Sequence, residues 1–312
     1  MVWRLRVQNV TIIGHGPAGL TAAIYSARAG LSPLVLGSNA ELGQLDQTTD
    51  VENFPGFPSG IMGPEIIVNM HKQAERFGAQ FKTAHVSSIV GAGPYTLKTD
   101  NGDIETKSII IATGAKPRRL GLESEAKYWG HGVSACAVCD GFFYRDRQVL
   151  VVGGGDSACE EATFLTKFAS KVTLVHRRDS LRASKVMADR VLANDKIEVR
   201  WNTVIKEITG TDDDGVTGVV LENSESGETI QVPMDGVFLA IGHIPNTAPF
   251  KDLIDLDPEG YVVLEEGSTQ TSAKGVFAAG DLHDKVYRQA ITAAGFGCMS
   301  ALDAEKYLEG HE

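Results

Sequence analysis

The sequence contains little of what several classes of protein require. Its four cysteines in 312 residues are too few for a disulfide framework, so a reducing cytoplasm is the expected compartment. Its 12 Phe, seven Tyr and three Trp supply few rings on which single-stranded nucleic acid could stack. The formal net charge of −11 argues against a general nucleic-acid or anionic-membrane binder. The sequence has no run of about 18 apolar residues, so we expect no membrane span.

Glycine, by contrast, is abundant. The chain has 34 glycines without a collagen-like period, well above the usual share of about 7%, which indicates many tight backbone approaches. Apolar residues make up 43% of the chain, enough for sizeable cores, and at about 150 residues per domain the length favours two domains. The basic N-terminus is followed at once by Gln8 and Asn9, which argues against a secretory signal.

Two segments of the chain begin in the same way. Residues 10–19 and 149–158 each combine an apolar strand with a glycine-rich turn. Each turn leads into a helical run, predicted over 20–29 in the first segment and 159–168 in the second. The repeat indicates two related nucleotide-binding domains.

A second pair of similar phrases indicates how the domains are arranged. Residues 108–117 and 236–245 each end an apolar strand in Gly-x-x-Pro, and a tail with a helical stretch over 291–308 follows. We therefore predict an α/β fold of two Rossmann-like, three-layer (ββα) nucleotide-binding domains, the second inserted into the first. The expected boundaries are 1–117 with 245–312 for the first domain and 118–244 for the second.

The first glycine turn is Gly14-His15-Gly16-Pro17-Ala18-Gly19. A strand, a tight turn and a helix N-terminus present free backbone N–H groups and the positive end of the helix dipole to a pyrophosphate. A glycine turn with no ligand is the alternative. The carboxylate that usually holds a ribose is missing from the end of Leu34-Val-Leu-Gly37-Ser-Asn, so we do not expect this domain to bind free NAD.

The second glycine turn is Gly153-Gly-Gly155-Asp156-Ser157-Ala158, and a strand is predicted after it over 171–175. Basic residues follow this strand where the fold places the residue that reads the ribose: His176, Arg177, Arg178 and Arg182. An arginine fork matches the oxygens of a 2′-phosphate, whereas an acidic residue would select NAD. A solvated basic loop is the alternative. The pattern predicts NADPH as the nucleotide of the second domain.

A third motif is the pair Cys136 and Cys139, followed by Asp140. Cysteines in Cys-x-x-Cys spacing are typical of thiol–disulfide exchange centres. A zinc site would need a second pair, and Cys159 and Cys298 are isolated, so we expect these two to be inert core thiols. An unrelated buried pair is a further alternative. The Asp140 carboxyl could exchange a proton with a thiolate, or it could serve only in a turn or helix cap.

The motifs lie in one order along the whole chain: Gly14-x-Gly16-x-x-Gly19, Gln44-Leu45, Thr48-Thr-Asp-Val-Glu-Asn53, Ala112-Thr113-Gly114, Ser134-x-Cys136-x-x-Cys139, Gly153-x-Gly155-Asp156-Ser157, His176-Arg177-Arg178-x-x-x-Arg182, Ala279-Gly280-Asp281 and Arg288-Gln289-Ala290. In this order they resemble the small thioredoxin reductases of bacteria and fungi, in the class II pyridine nucleotide-disulfide oxidoreductase family. The resemblance implies a flavoprotein that passes a hydride from NADPH to FAD. It then implies electron transfer to the Cys136–Cys139 disulfide and on to oxidised thioredoxin.

The same resemblance assigns residues to each cofactor. Those expected to contact FAD are Gly14, Gly16, Pro17, Ala18, Gly19, Gly43, Gln44, Leu45, Thr48, Asn53, Val86, Ala112, Thr113, Gly114, Gly280, Asp281, Arg288, Gln289 and Ala290. Those expected to contact NADPH are Gly153, Gly155, Asp156, Ser157, His176, Arg177, Arg178, Arg182, Ile241 and Gly242. In the family Cys139 faces the flavin, Cys136 attacks the partner disulfide and Asp140 is the acid/base. A homodimer is implied, with no metal, nucleic acid or membrane among its partners.

Three residues depart from the family pattern. Val138 stands where a threonine is more usual and removes a hydroxyl near the dithiol. Leu42 replaces a common glycine, and His15 stands where a small residue is usual. We expect His15 to be a partly exposed turn residue and not a catalyst. None of these changes removes a chemical role.

Four other functions remain open at this point. A dithiol oxidase of the same fold would pass electrons to oxygen, and a ferredoxin-fed reductase would take them from an iron–sulfur protein. Both would lack a use for Arg177, Arg178 and Arg182. A flavin-dependent NADP reductase acting on a one-electron carrier would need no cysteine pair, and neither would a nucleotide-sensing module. Bleaching of a yellow protein by NADPH, followed by a thioredoxin assay, separates all four.

Overall fold

The computed structural model describes residues 7–37 and 43–310. Contacts within the chain divide it into two compact units. Unit 1 comprises Met1–Lys116 and Ile244–Glu312, and unit 2 comprises Pro117–His243. The chain thus leaves unit 1 once, builds unit 2 as one continuous insert and then returns to unit 1.

Helices and strands alternate through both units. Within the described residues the helices are α1 (Pro17–Arg28), α2 (Gly63–Arg76), α3 (Glu123–Lys127), α4 (Ala137–Asp140), α5 (Asp156–Leu165), α6 (Lys185–Leu192) and α7 (Ala290–Glu309). The strands in this part of the chain are β1 (Gln8–Ile13), β2 (Leu34–Gly37), β3 (Asp50–Val51), β4 (Ile61–Met62), β5 (Gln80–Thr83), β6 (Val86–Gly91), β7 (Tyr95–Thr99), β8 (Ile104–Ile111), β9 (Ala115–Pro117), β10 (Val133–Ser134), β11 (Gln148–Val152), β12 (Lys171–Val175), β13 (Ile197–Arg200), β14 (Thr203–Thr211), β15 (Gly215–Asn223), β16 (Thr229–Pro233), β17 (Gly236–Leu239), β18 (His243–Pro245) and β19 (Val276–Ala278).

Unit 1 is built on a sheet in the order β5-β2-β1-β8-β7-β6, with β19 also paired to β8. Strands β5, β2, β1, β8 and β19 run parallel, and β7 and β6 extend the sheet antiparallel. Along β1, Val10 and Ile12 pack with α1 and α7, while Ile13 packs into a second core with Ile109 and Ile111. Both faces of β1 are therefore covered, and every residue from Val10 to Ile13 is buried, including the polar Thr11.

Unit 2 repeats this plan with a separate set of strands. Its parallel sheet has the order β10-β17-β11-β12-β13, and β14, β15 and β16 form an antiparallel sheet. Val149 and Val151 pack with Leu165 of α5, whereas Leu150 packs with Val219 of the antiparallel sheet. Helices, parallel sheet and antiparallel sheet therefore form three layers. The predicted mixed α/β class is confirmed.

Hydrogen bonds tie together the two chain segments that join the units. In unit 1 the Thr113 hydroxyl donates to the Asn246 carbonyl at 2.8 Å, and the Asn246 side-chain amide donates to the Thr113 carbonyl at 2.8 Å. The Asn246 N–H also donates to the Gly114 carbonyl at 2.9 Å. In unit 2 the Arg118 N–H donates to the Gly242 carbonyl at 2.9 Å. The outgoing and returning segments are paired on both sides of the junction.

The predicted helices agree with the structure in place and differ slightly at their ends. The run predicted over 20–29 is α1, which begins three residues earlier at Pro17, and the run predicted over 291–308 is α7. Helix α5 was expected over 159–168 but begins at Asp156 and ends at Leu165. It starts earlier because Gly155 is its N-cap residue, so the helix follows the glycine turn directly.

Candidate functional site

The first glycine turn leaves open space at the N-terminus of α1. A Cβ on Gly14 would collide with the Ala112 carbonyl oxygen, and a Cβ on Gly19 would collide with the Gly14 carbonyl oxygen, so both positions require glycine. Gly16 is the N-cap residue, with Pro17 following it, and a Cβ there would meet nothing within 4 Å. The space beside a helix N-terminus fits a phosphate group. This turn therefore fits the pyrophosphate of a dinucleotide such as FAD.

Residues distant in sequence meet around this turn in unit 1. The Gln44 side-chain amide donates to the Ala115 carbonyl at 3.0 Å and to the Asp281 carboxyl at 3.3 Å. The Thr48 hydroxyl donates to the Gln44 carbonyl at 2.8 Å. The structure thus brings together three of the residues predicted to contact FAD, from segments more than 230 positions apart.

Asp281 lies directly after Gly280, whose φ of +90° favours glycine. Burial raises the pKa of the Asp281 carboxyl to about 6, and the nearby charge of Asp284 acts in the same direction. Arg288 and the Gln44 hydrogen bond oppose this shift. A partly buried carboxyl of this kind can hold a proton close to pH 6, which suits a group that contacts ligand hydroxyls.

The segment before α7 is held by a residue that the sequence analysis missed. The buried Asp284 carboxylate accepts the N–H groups of Val286 at 3.0 Å, Tyr287 at 2.9 Å and Arg288 at 3.2 Å. Arg288 has a φ of +48°, and Gln289 begins α7 with a capping box. An aspartate two to four residues before such N–H groups is the sequence signal that could have identified Asp284.

The other residues predicted to contact FAD differ in their surroundings. The Asn53 side-chain amide donates to the Gln289 side-chain oxygen at 3.4 Å. The Gly43 N–H donates to Asp46 at 2.9 Å, next to the 3₁₀ turn that begins at Leu45. Val86 is buried in the core of unit 1, so its side chain does not line an open surface. Leu42 lies outside the described residues, as do Ser38 and Asn39.

The second glycine turn has the same open space at the N-terminus of α5. A Cβ on Gly153 would approach the Ala240 carbonyl oxygen to 2.5 Å, whereas a Cβ on Gly155 would meet nothing within 4 Å. The Asp156 carboxylate accepts the Ser184 N–H at 2.9 Å and its hydroxyl at 2.8 Å, and these bonds lower the pKa of Asp156. The turn therefore leaves space for a ligand beside Gly155, and the hydrogen bonds between Asp156 and Ser184 hold the start of α5 in place.

The basic segment after β12 folds back onto this turn. The Arg182 N–H donates to the Gly154 carbonyl at 2.6 Å. Arg177 and Arg178 are exposed, so their guanidinium groups are available to a ligand. His176 differs, since it is only 5% exposed and its ring lies against Gly154. Burial lowers the pKa of His176, so its imidazole is neutral at neutral pH.

Cys136 and Cys139 form a disulfide with a Cα–Cα distance of 5.3 Å. Cys136 is the N-cap residue of α4, and its sulfur accepts the Cys139 N–H at 3.2 Å. The Cys136 N–H in turn donates to the Ser134 hydroxyl at 3.0 Å. Burial raises the pKa of the neighbouring Asp140 carboxyl above its ordinary value. A disulfide at a helix N-terminus, next to a carboxyl that can hold a proton, is equipped for thiol–disulfide exchange.

The two remaining cysteines are free. Cys159 is buried, and burial raises the pKa of its thiol to about 11, as expected for an inert core thiol. Cys298 is only partly buried and shares a hydrogen bond with Tyr25, which raises the Tyr25 pKa. The expectation of a core position thus holds for Cys159 and fails for Cys298, which is only partly buried on α7.

No helix in the described ranges is long and apolar enough to span a membrane.

Comparison with known proteins gives consistent matches over the whole chain. A family model described as pyridine nucleotide-disulphide oxidoreductase matches residues 8–297. A thioredoxin reductase of Streptomyces clavuligerus is 53% identical over 97% of this chain and 94% of its own length. One of Rickettsia conorii is 50% identical over 96% and 98%. The crystal structure of thioredoxin reductase from Streptococcus pyogenes MGAS5005 superposes with a TM-score of 0.93 at 44% identity, covering 98% of this chain and 99% of that one.

Proposed function

This chain belongs to the thioredoxin reductases of the pyridine nucleotide-disulphide oxidoreductase family, and from this premise we propose how its residues divide the work. It is an NADPH-dependent flavoprotein disulfide reductase. Bound FAD supplies the redox chemistry, because a flavin can accept a hydride and deliver an electron pair to a disulfide. The observation that carries the proposal is the Cys136–Cys139 disulfide on α4, in the same unit as the second glycine turn.

In unit 1 the first glycine turn binds the FAD pyrophosphate. The N–H groups at the start of α1 face the open space beside Gly16 and would donate to phosphate oxygens. Asp281 and Gln44 are already joined by a hydrogen bond, and they hold the hydroxyl-bearing part of the cofactor. Gln289, joined to Asn53, covers the ring. These contacts position the cofactor, and the positioning is the protein's part in the transfer.

In unit 2 the second glycine turn binds the NADPH pyrophosphate. Arg177 and Arg178 extend from the end of β12 and bind the 2′-phosphate, since a guanidinium matches phosphate oxygens in pairs. Arg182 is tied to the turn through its backbone and completes the positive cluster. The His176 ring is buried against Gly154, so it supports the turn and does not extend into solvent as Arg177 and Arg178 do.

The geometry of α4 supports different tasks for the two cysteines, as the family resemblance implies. Reduction of the disulfide takes two electrons and two protons and leaves two thiols. The Cys139 N–H points at the Cys136 sulfur, so a thiolate forms more readily on Cys136. That thiolate attacks the disulfide of oxidised thioredoxin, and the displaced thioredoxin sulfur takes a proton. Cys139 then attacks the Cys136 sulfur of the mixed disulfide, which releases dithiol thioredoxin and restores the Cys136–Cys139 bond.

Asp140 is the proton carrier of this exchange. Its carboxyl lies next to Cys139 in the chain, and burial raises its pKa above the ordinary range. A carboxyl with a raised pKa can give a proton to a leaving thiolate and take one back when the disulfide re-forms. Ser134 opposes the shift through a hydrogen bond to the carboxylate form.

An apolar surface beside the disulfide supports a protein as the substrate. Val138 is 56% exposed, Phe142 is 54% exposed and Phe143 is 43% exposed. Large apolar side chains exposed together mark protein interaction sites. We therefore propose thioredoxin as the substrate that binds this surface. The family resemblance supports a homodimer as the assembly, and the small number of cysteines supports a reducing cytoplasm as the location.

The test is an anaerobic titration of the flavin-loaded chain followed by a turnover assay. We expect NADPH to bleach the flavin absorbance, and addition of oxidised thioredoxin to produce thiols in proportion to the NADPH consumed. NADH at the same concentration should act much more slowly. Bleaching by reduced ferredoxin but not by NADPH, or oxygen consumption driven by a dithiol substrate, would instead identify one of the alternative enzymes.

A further inference from the structure

Next to the first glycine turn, one histidine ring covers a glycine at the end of β2. Ile13 of β1 pairs with Leu36 of β2, so Gly14 and Gly37 are the next residues in register. The Gly14 N–H continues this pairing by donating to the Leu36 carbonyl at 2.8 Å. A Cβ on Gly37 would collide with Nδ1 of His15. The His15 ring therefore occupies the place that a side chain at position 37 would take.

The second unit has the same two positions with the residue types exchanged. Val152 of β11 pairs with Val175 of β12, so Gly153 and His176 are the next residues in register. A Cβ on Gly154 would collide with the His176 ring. The second residue of the turn and the residue in register with the first glycine of the turn are thus His15 and Gly37 in unit 1. In unit 2 they are Gly154 and His176.

Because the histidine stands at a different one of these two positions in each unit, the two rings differ in what they can contact. His176 is 5% exposed, and its Nε2 is buried without a hydrogen-bond partner among the described residues. His15 is partly exposed. The ring atoms nearest to the Cβ position on Gly37 are Nδ1, Cε1 and Cγ, so Nε2 is not among the atoms that face the strand. A ligand on the first glycine turn can therefore meet a polar atom of His15.

The end of the second strand is where this fold holds the ribose of a bound nucleotide, usually with a carboxylate. Gly37 has no side chain, and the His15 ring stands over it. We propose that His15 takes over this task and hydrogen-bonds a hydroxyl of the adenosine ribose of FAD. The inference rests on the proposed function, because it assumes FAD on the first turn. A neutral imidazole carries one donor and one acceptor, which suits a hydroxyl.

The test compares FAD with two analogues that lack the 2′- or the 3′-hydroxyl of the adenosine ribose. The full chain is stripped of flavin, and each compound is titrated by the quenching of flavin fluorescence. His15→Phe keeps a planar ring over Gly37 but carries no nitrogen, so it separates packing from hydrogen bonding. His15→Ser is a second variant in case the first folds poorly. His85→Ser is the matched control, since His85 is an exposed histidine of the same unit on a different loop.

We expect the unmodified chain to bind FAD about fivefold more tightly than one of the two analogues, as one neutral hydrogen bond predicts. His15→Phe and His15→Ser should bind FAD and that analogue equally, and His85→Ser should keep the full preference. The same preference in His15→Phe as in the unmodified chain would show that His15 only packs, and would overturn the inference. So would equal binding of all three compounds by the unmodified chain. Failure of the unmodified chain to bind any flavin would instead contradict the proposed function.

Discussion

The two units use one backbone plan and differ in what surrounds it. In both, a glycine turn leaves open space at the N-terminus of a helix, beside Gly16 in unit 1 and Gly155 in unit 2. Beyond the second strand, unit 2 exposes Arg177 and Arg178, whereas in unit 1 His15 covers the strand end at Gly37. The two units thus share the open space beside a helix N-terminus and differ in the side chains around it, and we propose that these side chains select the dinucleotide.

A second difference concerns the groups that react. Unit 2 carries the Cys136–Cys139 disulfide on a helix of its own, and unit 1 carries a partly buried carboxyl and a partly buried imidazole, Asp281 and His283, in the segment after β19. The disulfide thus lies in the insert, and the proposed FAD site lies in the unit that the insert interrupts.

The largest effect is expected from the disulfide. Cys136→Ser and Cys139→Ser should each lower thioredoxin reduction by at least about a thousandfold, because neither can complete the exchange. Flavin bleaching by NADPH should stay unchanged in both, since hydride transfer does not need the sulfurs. Stopped-flow absorbance and a thiol assay measure the two steps. Cys298→Ser, at a free cysteine of unit 1, is the control, and turnover retained in both disulfide variants would refute the exchange centre.

The next effect concerns nucleotide choice. Arg177→Ala combined with Arg178→Ala should raise the KM for NADPH by roughly 30-fold or more, because charge-assisted contacts to the 2′-phosphate are lost. The KM for NADH should change little. Arg190→Ala, at an exposed arginine of α6, is the matched control. Equal losses with both nucleotides would mean that these arginines do not read the 2′-phosphate.

The two glycine turns give a paired prediction. Gly155→Ala should weaken NADPH binding by about tenfold and leave FAD binding unchanged, and Gly16→Ala should do the reverse. Both chains should fold, because a Cβ at either position meets nothing in the protein within 4 Å and enters only the space meant for phosphate. Dissociation constants from fluorescence titration measure the effect. If one variant weakened both nucleotides equally, the two turns would not be separate sites.

The effect with the smallest consequence for activity is a pH dependence of stability that belongs to unit 1. Burial raises the Asp281 pKa to about 6, so the stability it contributes is present below pH 4 and lost as pH rises through 6. Burial lowers the His283 pKa from 6.5 to about 4, so its contribution is present above pH 6.5 and lost as pH falls through 4. The two slopes oppose each other.

Removing either side chain should therefore reveal the pH dependence of stability that the other contributes. Relative to the unmodified chain, Asp281→Asn should gain about 2 kcal/mol of unfolding free energy as pH rises from 4 to 7. His283→Gln should gain about the same amount as pH falls over that range. Urea unfolding of the flavin-free chain at pH 4, 5.5 and 7 provides the measurement. A constant difference from the unmodified chain across this range would contradict the shifted pKa of that residue.

Local patterns in the sequence were sufficient for much of this picture. The glycine turns, the strands beside them and the family resemblance are confirmed, because each rests on a short run of residues with a fixed spacing. Helix α5 was displaced by three residues, since apolar periodicity does not reveal the N-cap at Gly155. The sequence analysis did not predict the hydrogen bonds that the Asp284 carboxylate accepts. It also did not predict that His15 and His176 stand at exchanged positions in the two units. These depend on side chains that meet only after the strands are in register.

The hydrogen bonds of Thr113 with Asn246, and of Arg118 with Gly242, join the two segments through which the chain enters and leaves the insert. Since the chain leaves and re-enters unit 1 at two points already joined by hydrogen bonds, the host sheet does not depend on the length of what lies between them. A few flexible residues in place of the insert would close the same junction and leave every strand of the β5-β2-β1-β8-β7-β6 sheet in position. In evolutionary terms, such a junction lets one domain be copied into another, as the repeated glycine turns suggest, without rebuilding the recipient.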